Sequence, residues 1–191
     1  MNRLGATLLT AVLLLGRTVP GWTEEPRPGE SVDGLQASLT TQSETVRRGE
    51  DVLLELELRN VSNAPFLVYG HIRPGDEYGL ARLTFLVHGS DGTSFDVYSD
   101  DLIVDGIASP QSYLRLEPGG SQKTSLVMET EYEYFDWSRE PAGPHTRTID
   151  PGRYEISVRV SLSGFGQELV QDAWVGTVLS NPVIIKVVDA D

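Results

Sequence analysis

The sequence DPGRYEISVRVSL at residues 150–162 decides the fold of this chain. From Tyr154 to Leu162 every second residue is apolar, and the residues between them are polar or charged. This period of two is that of a β-strand with one face in a protein core and the other in water. Pro151-Gly152 supplies the turn-forming residues that start the strand. The stretch therefore predicts an antiparallel β domain.

The same alternation recurs along the chain, in runs separated by clusters of turn-forming residues. It is clearest at residues 51–60, where only Leu53 breaks the pattern. Phe66–Tyr69 is instead a short continuous apolar run, which is typical of a strand covered on both faces. Together these runs predict an all-β fold, an antiparallel β-sandwich of about eight or nine strands, with no helix of useful length.

One predicted strand, Ser121–Met128, places alternate apolar residues on one face. The same parity continues through three residues further along the chain, Thr130, Tyr132 and Tyr134. We therefore expect a long strand here, followed by a loop over residues 138–149.

The N-terminus predicts export. Arg3 precedes an apolar run at residues 4–16, and small residues suitable for cleavage end at Gly21, which is the pattern of a secretory signal peptide. The run is shorter than the roughly 20 apolar residues of a spanning helix, so the mature form is predicted to have no membrane span. We expect residues 1–21 to be a signal peptide, 22–34 a flexible lead-in and 35–189 a single domain of a secreted or periplasmic protein.

The composition limits the partners and the means of stabilisation. The chain has 191 residues, no cysteine and a formal charge of −13. Removal of residues 1–21 would take away Arg3 and Arg17 but no acid, and would lower the charge to −15. Such a surface repels phosphate backbones, so nucleic acid is not an expected partner. Without disulfides, burial of the core must stabilise the domain.

The start of the strand at residues 150–162 resembles a motif of known β-sandwich proteins. Asp150-Pro151-Gly152-Arg153-Tyr154 is similar to the start of strand F in immunoglobulin-like and fibronectin type III-like sandwiches. The resemblance implies that Tyr154 packs at a corner and that its hydroxyl bonds back to the backbone. By position, residues 51–60 would be strand B, Ser121–Met128 strand E and Val183–Val188 strand G. The chain lacks the cysteine pair of antibody domains, and Phe66–Tyr69 lacks their tryptophan.

A second resemblance is to the BsuPI-type proteinase inhibitors, which are also small β-sandwiches. It rests on a strand that ends in Asn60, on Pro65 and on the later turn Glu117-Pro118-Gly119. The resemblance implies a protein that binds another protein.

Catalytic and metal-binding patterns are weak. There is no Gly-x-Ser-x-Gly elbow, and His71, His88 and His145 lie far apart without metal-ligand spacing. An acidic group lies within residues 91–105, but its spacing matches no calcium loop, so a solvated loop is expected; its members are Asp91, Asp96, Asp100, Asp101 and Asp105. Asn60-Val61-Ser62 has the form of a glycosylation acceptor.

The least ordinary stretch is residues 129–137, which holds four aromatic residues among four acids. Aromatic side chains concentrate in binding patches because they bury a large area with few rotatable bonds. The predicted binding residues are Tyr132, Tyr134, Phe135 and Trp137. In the alternative interpretation, Tyr132 and Tyr134 extend the core face of their strand, while Phe135 and Trp137 cover the end of the sandwich.

These observations predict a secreted or periplasmic, non-enzymatic binding module that takes another protein or an extracellular ligand and needs no cofactor. One alternative is a proteinase-inhibitor-like protein. The other is a metal-dependent enzyme that uses the acidic loop at residues 91–105.

Overall fold

The computed structural model describes residues 29–70, 81–98, 110–136, 143–162 and 170–190, so the predicted signal peptide lies outside the described residues. Within these ranges the chain forms thirteen strands and one short 3₁₀ helix at Pro110–Ser112, which confirms the all-β prediction. Several strands are short segments that sequence alternation alone does not separate. The strands are β1 (Leu35–Thr41), β2 (Thr45–Arg47), β3 (Val52–Asn60), β4 (Phe66–Tyr69), β5 (Ala81–Gly89), β6 (Ser94–Tyr98), β7 (Tyr113–Leu116), β8 (Ser121–Met128), β9 (Glu131–Asp136), β10 (Gly143–Thr148), β11 (Gly152–Leu162), β12 (Gly176–Leu179) and β13 (Val183–Val188).

Two sheets make the sandwich. The smaller sheet has the order β1-β3-β8, and the larger one has the order β2-β13-β11-β5-β6, with β12 also paired to β11. Every pairing is antiparallel except that of β13 with β2. The predicted strands B and E are therefore neighbours, as are F and G, which confirms the immunoglobulin-like arrangement.

The core lies between the two sheets and follows the period of two. Tyr154 and Val158 on β11 and Leu56 on β3 are buried, whereas the intervening Glu155 is exposed. The inward apolar residues of β3, β8, β11 and β13 share one core; they include Leu54, Leu56, Leu58, Leu126, Tyr154, Ile156, Val158, Val160, Ile185 and Val187.

β12 and β13 share one flank of β11, and a buried serine bridges the break between them. The N–H of Val158 donates to the hydroxyl of Ser180 at 2.9 Å, and the N–H of Ser180 donates to the carbonyl of Val158 at 2.9 Å. Ser180 thus replaces the missing ladder bond, and the central strand keeps its backbone groups paired inside the protein.

Asn60 ends β3 as a fully buried polar centre. Its side-chain Nδ2 donates to the carbonyls of Ala64 and Leu116, both at 2.9 Å, and its Oδ1 accepts from the N–H and the hydroxyl of Ser62 at 2.9 and 2.7 Å. Gly119 also donates its N–H to the carbonyl of Asn60 at 2.8 Å. Asn60, one of the residues that resemble the BsuPI-type inhibitors, therefore has a structural role at the end of β3. As the acceptor of the Asn60-Val61-Ser62 sequence, its side chain is buried and hydrogen-bonded in the folded protein.

The coverage of β4 differs from its prediction. β4, expected to be covered on both faces, has only Val68 fully buried and pairs with β7 in a separate two-stranded sheet. β5 is covered on both faces, and its buried residues include Leu83, Thr84, Phe85, Leu86 and Val87. The prediction for β4 was wrong because this strand lies in a two-stranded sheet outside both main sheets, so less of its surface is covered.

The described ranges contain no helix that is long and apolar enough to cross a membrane.

Candidate functional site

The chain leaves the smaller sheet at Thr130, a buried residue that fixes a turn. Its hydroxyl donates to the carbonyl of Glu50 at 2.9 Å and accepts the N–H of Gly49 at 2.9 Å. Its carbonyl accepts the N–H of Ile149 at 2.7 Å, which brings together the two ends of the following hairpin. The prediction of one long strand is therefore wrong: β8 ends at Met128, and β9 begins at Glu131.

β9 pairs only with β10 within the described part of the chain, so the two form a hairpin that belongs to neither main sheet. Residues 143–148, predicted to be part of a loop, are therefore a strand. The register places Tyr132 opposite Arg147, Tyr134 opposite His145 and Phe135 opposite Pro144.

Three of the four predicted binding residues, Tyr132, Tyr134 and Phe135, thus lie on one strand of this hairpin. Phe135 lies within β9, next to its last residue, Asp136. Trp137 lies outside the described residues.

An exposed apolar pair lies on the outer face of the smaller sheet, close to the start of the hairpin. Leu53 and Val127 are directly opposite each other on β3 and β8, and they are 45% and 46% exposed. Asp51 and Glu129, the next outward positions toward the hairpin, are exposed as well. Leu53 and Val127 are both apolar residues at outward positions of their strands, but only the strand pairing shows that they lie opposite each other.

The base nearest to this pair along β8 is engaged with the neighbouring strand. Lys123 Nζ donates to Glu55 Oε1 at 2.6 Å, and Glu57 lies directly opposite Lys123. The hydrogen bond and the charge of Glu55 hold the pKa of Lys123 above its usual range, with the charge of Glu57 adding to the effect. Both groups are exposed, so water screens the pair.

The two described residues of the predicted acidic group make local contacts. Asp91 Oδ1 accepts the N–H and the hydroxyl of Thr93 at 2.9 and 2.7 Å, and Asp96 lies 4.0 Å from Arg159. Asp100, Asp101 and Asp105 lie outside the described residues, as does His71. His88 is exposed and its Nδ1 lies 2.9 Å from the hydroxyl of Ser94. Among the residues that the structure describes, no three His, Asp or Glu side chains form a group suited to a metal ion.

An aromatic pair that the sequence did not single out joins β4 and β7. The rings of Tyr69 and Tyr113 meet edge to face, with centroids 5.7 Å apart. Partial burial raises the pKa of Tyr113. The two residues are directly opposite each other in the two-stranded sheet, so their contact is a cross-strand pair.

The fold defines this chain as an immunoglobulin-like β-sandwich domain. Among solved structures, the chain is similar to the C-terminal domain of Wzt, with 10% identity, a TM-score of 0.42 and coverage of 86% of this chain and 84% of that one. It is similar to the CARDB domain of a Pyrococcus furiosus protein, with 9% identity, a TM-score of 0.35 and coverage of 81% and 87%. A match to a β-glucosidase from Listeria innocua has 12% identity and a TM-score of 0.37, and covers 93% of this chain but only 20% of that one. No protein family model and no curated protein matches the chain.

Proposed function

We propose that the protein is a non-enzymatic interaction module, exported by the signal peptide at residues 1–21, that binds another protein or an extracellular ligand through the β9–β10 hairpin. The binding residues are Tyr132, Tyr134, Phe135 and Trp137. The observation that carries the proposal is the pairing of β9 with β10 outside both main sheets.

This pairing supports the proposal over the alternative interpretation. Because β8 ends at Met128, Tyr132 and Tyr134 do not continue the core face of β8. Tyr132, Tyr134 and Phe135 belong to a separate hairpin, and three acids lie beside them in the sequence at Glu131, Glu133 and Asp136. The acids keep an aromatic surface soluble and attract a basic partner by long-range charge.

Site-directed photocrosslinking tests the proposal. A photoreactive phenylalanine analogue at Phe135 should crosslink one partner from the exported fraction of the native host, while the same analogue at Ser38, on the outer face of β1, should not. The purified partner should bind the unmodified protein and lose affinity for the Trp137→Ala variant. Equal crosslinking at both positions would contradict a hairpin site.

Two further measurements separate the parts of the proposal. N-terminal sequencing of the exported protein should begin near Trp22, and a mature chain that retains Met1 would contradict the signal peptide. A protease inhibitor is one form of such a module, and a titrated panel of proteases tests that form directly.

A further inference from the structure

The two edges of the smaller sheet differ in how their backbone groups are paired. On β1, the N–H and carbonyl of Leu39 are both bonded by the side-chain amide of Asn181, at 2.9 and 3.0 Å. The N–H of Leu35 donates to the carbonyl of Val32 at 2.9 Å, and the carbonyl of Leu35 accepts the N–H of Val32 at 2.8 Å. The edge of β1 is thus capped at two of its outward-directed residues, and capping of this kind prevents other strands from pairing there.

The register shows where the backbone groups of β8 point. The carbonyl of Leu53 accepts the N–H of Gln42, so the backbone of Leu53 faces β1. Val127, directly opposite Leu53, is then in a non-hydrogen-bonded pair and directs its own N–H and carbonyl away from the sheet. The bond from the N–H of Asn60 to the carbonyl of Gly120, at 2.9 Å, agrees with this alternation.

The odd-numbered residues of β8 therefore form an open edge, defined here as Ser121, Lys123, Ser125 and Val127. All four are exposed, and no strand of the described chain pairs with this side of β8. Four successive donor–acceptor sets at a spacing of two residues fit the backbone of another extended chain.

The surface beside the open edge fits an apolar and basic partner. Leu53 and Val127 present apolar area, and the carboxylates of Asp51, Glu55 and Glu129 surround it. Two bases lie beside the edge: Lys123, whose charge Glu55 already engages at 2.6 Å, and Arg59, which lies opposite Ser121 at the far end from the apolar pair. Glu57, opposite Lys123, adds a fourth carboxylate.

We propose that the open edge of β8 accepts an extended polypeptide segment with apolar and basic side chains, which adds a fourth strand to the smaller sheet. A second copy of this chain fits less well, because each copy carries a formal charge of −13, or −15 without residues 1–21, and the two would repel each other. This proposal does not depend on the aromatic residues of the hairpin.

Titration calorimetry with three synthetic ten-residue peptides tests the chemistry of the partner. A peptide of alternating lysine and valine should bind the purified protein, and its affinity should fall with added salt. The matching glutamate–valine peptide should not bind. A lysine–valine peptide that is N-methylated at four consecutive central residues should bind at least about tenfold more weakly, because it cannot form the ladder.

A matched pair of variants tests the location. Ser125→Pro removes an outward-directed N–H without removing a bond to β3, so it should abolish peptide binding, and Ser125→Ala should retain it. Equal affinity of these two variants, or of the methylated and unmethylated peptides for the unmodified protein, would overturn the proposal. A dimer of the free protein that Ser125→Pro dissociates would assign the edge to a second copy and would also overturn it.

Discussion

The hydroxyl of Tyr154 donates a hydrogen bond to the carbonyl of Asp150, at 2.8 Å, across the corner where the chain enters β11. The resemblance to strand F implied this bond, and the structure confirms it. The ring lies close to Gly152 and Gly89, where an added Cβ would meet ring atoms at 3.3 and 3.2 Å. The ring of Tyr154 therefore packs closely against the backbone at both glycines.

We predict that Tyr154→Phe lowers the free energy of unfolding by about 0.5–1.5 kcal/mol, because the ring stays buried and only the hydrogen bond is lost. Tyr113→Phe is the matched control, since no hydrogen bond of the Tyr113 hydroxyl occurs in the described part of the chain. Urea unfolding measures both. Similar losses in the two variants would mean that the corner bond contributes nothing specific.

We predict that Asn181→Ala costs about 1–3 kcal/mol, because it leaves both backbone groups of Leu39 without their partner. Hydrogen exchange at the Leu39 amide should accelerate as well. Asn63→Ala, at an exposed turn position, should change neither quantity. An unchanged exchange rate at Leu39 in the Asn181→Ala protein would contradict the capping role.

Two neighbours on β11 test the assignment of faces. Val158→Ala should cost about 1–3 kcal/mol through lost burial and a small cavity. Arg159→Ala should cost little, because its side chain lies on the outer face. Chemical denaturation measures the free energy of unfolding of both variants. Equal losses would contradict the assignment of Val158 to the core face and Arg159 to the outer face.

The turn at Asp91 should show a specific dependence on pH. The N–H of Thr93, and then its hydroxyl, hold the pKa of the Asp91 carboxyl below its usual range. A lowered folded-state pKa stabilises the protein above the unfolded-state pKa, and this contribution disappears as the pH falls through the folded-state value. Thr93→Ala should raise the pKa of Asp91 in an NMR titration of the carboxyl groups, whereas Thr177→Ala should leave it unchanged.

Trp137 distinguishes a binding hairpin from a covered core. For a binding hairpin, Trp137→Ala should abolish partner binding and leave the melting temperature nearly unchanged. A core position would instead lose about 3–5 kcal/mol of stability. A thermal melt gives the answer, and a large drop would withdraw Trp137 as a binding residue.

Local alternation was sufficient to predict the core strands, because the inward residues of β3 and β11 are apolar almost without exception. It failed after β8, where the apolar parity continues through Tyr134 but the chain turns. That turn depends on Thr130 bonding Glu50, a residue 80 positions away, and no local pattern records such a contact. The sequence also could not predict the open edge of β8. That edge is identified by the strand register, which places Val127 opposite Leu53.

The buried amide of Asn60 bears on the choice of expression host. A cell that attaches glycans to Asn-x-Ser sequences can modify Asn60 only before the corner at the end of β3 forms, since the folded protein uses both hydrogens of that amide. A glycan at this position would therefore mark chains that met the transferase while unfolded and can no longer complete the corner. Hosts without this modification should yield a product that is homogeneous at Asn60. A Ser62→Ala change, made to remove the acceptor sequence, would also remove the hydrogen bond from the Ser62 hydroxyl to Asn60.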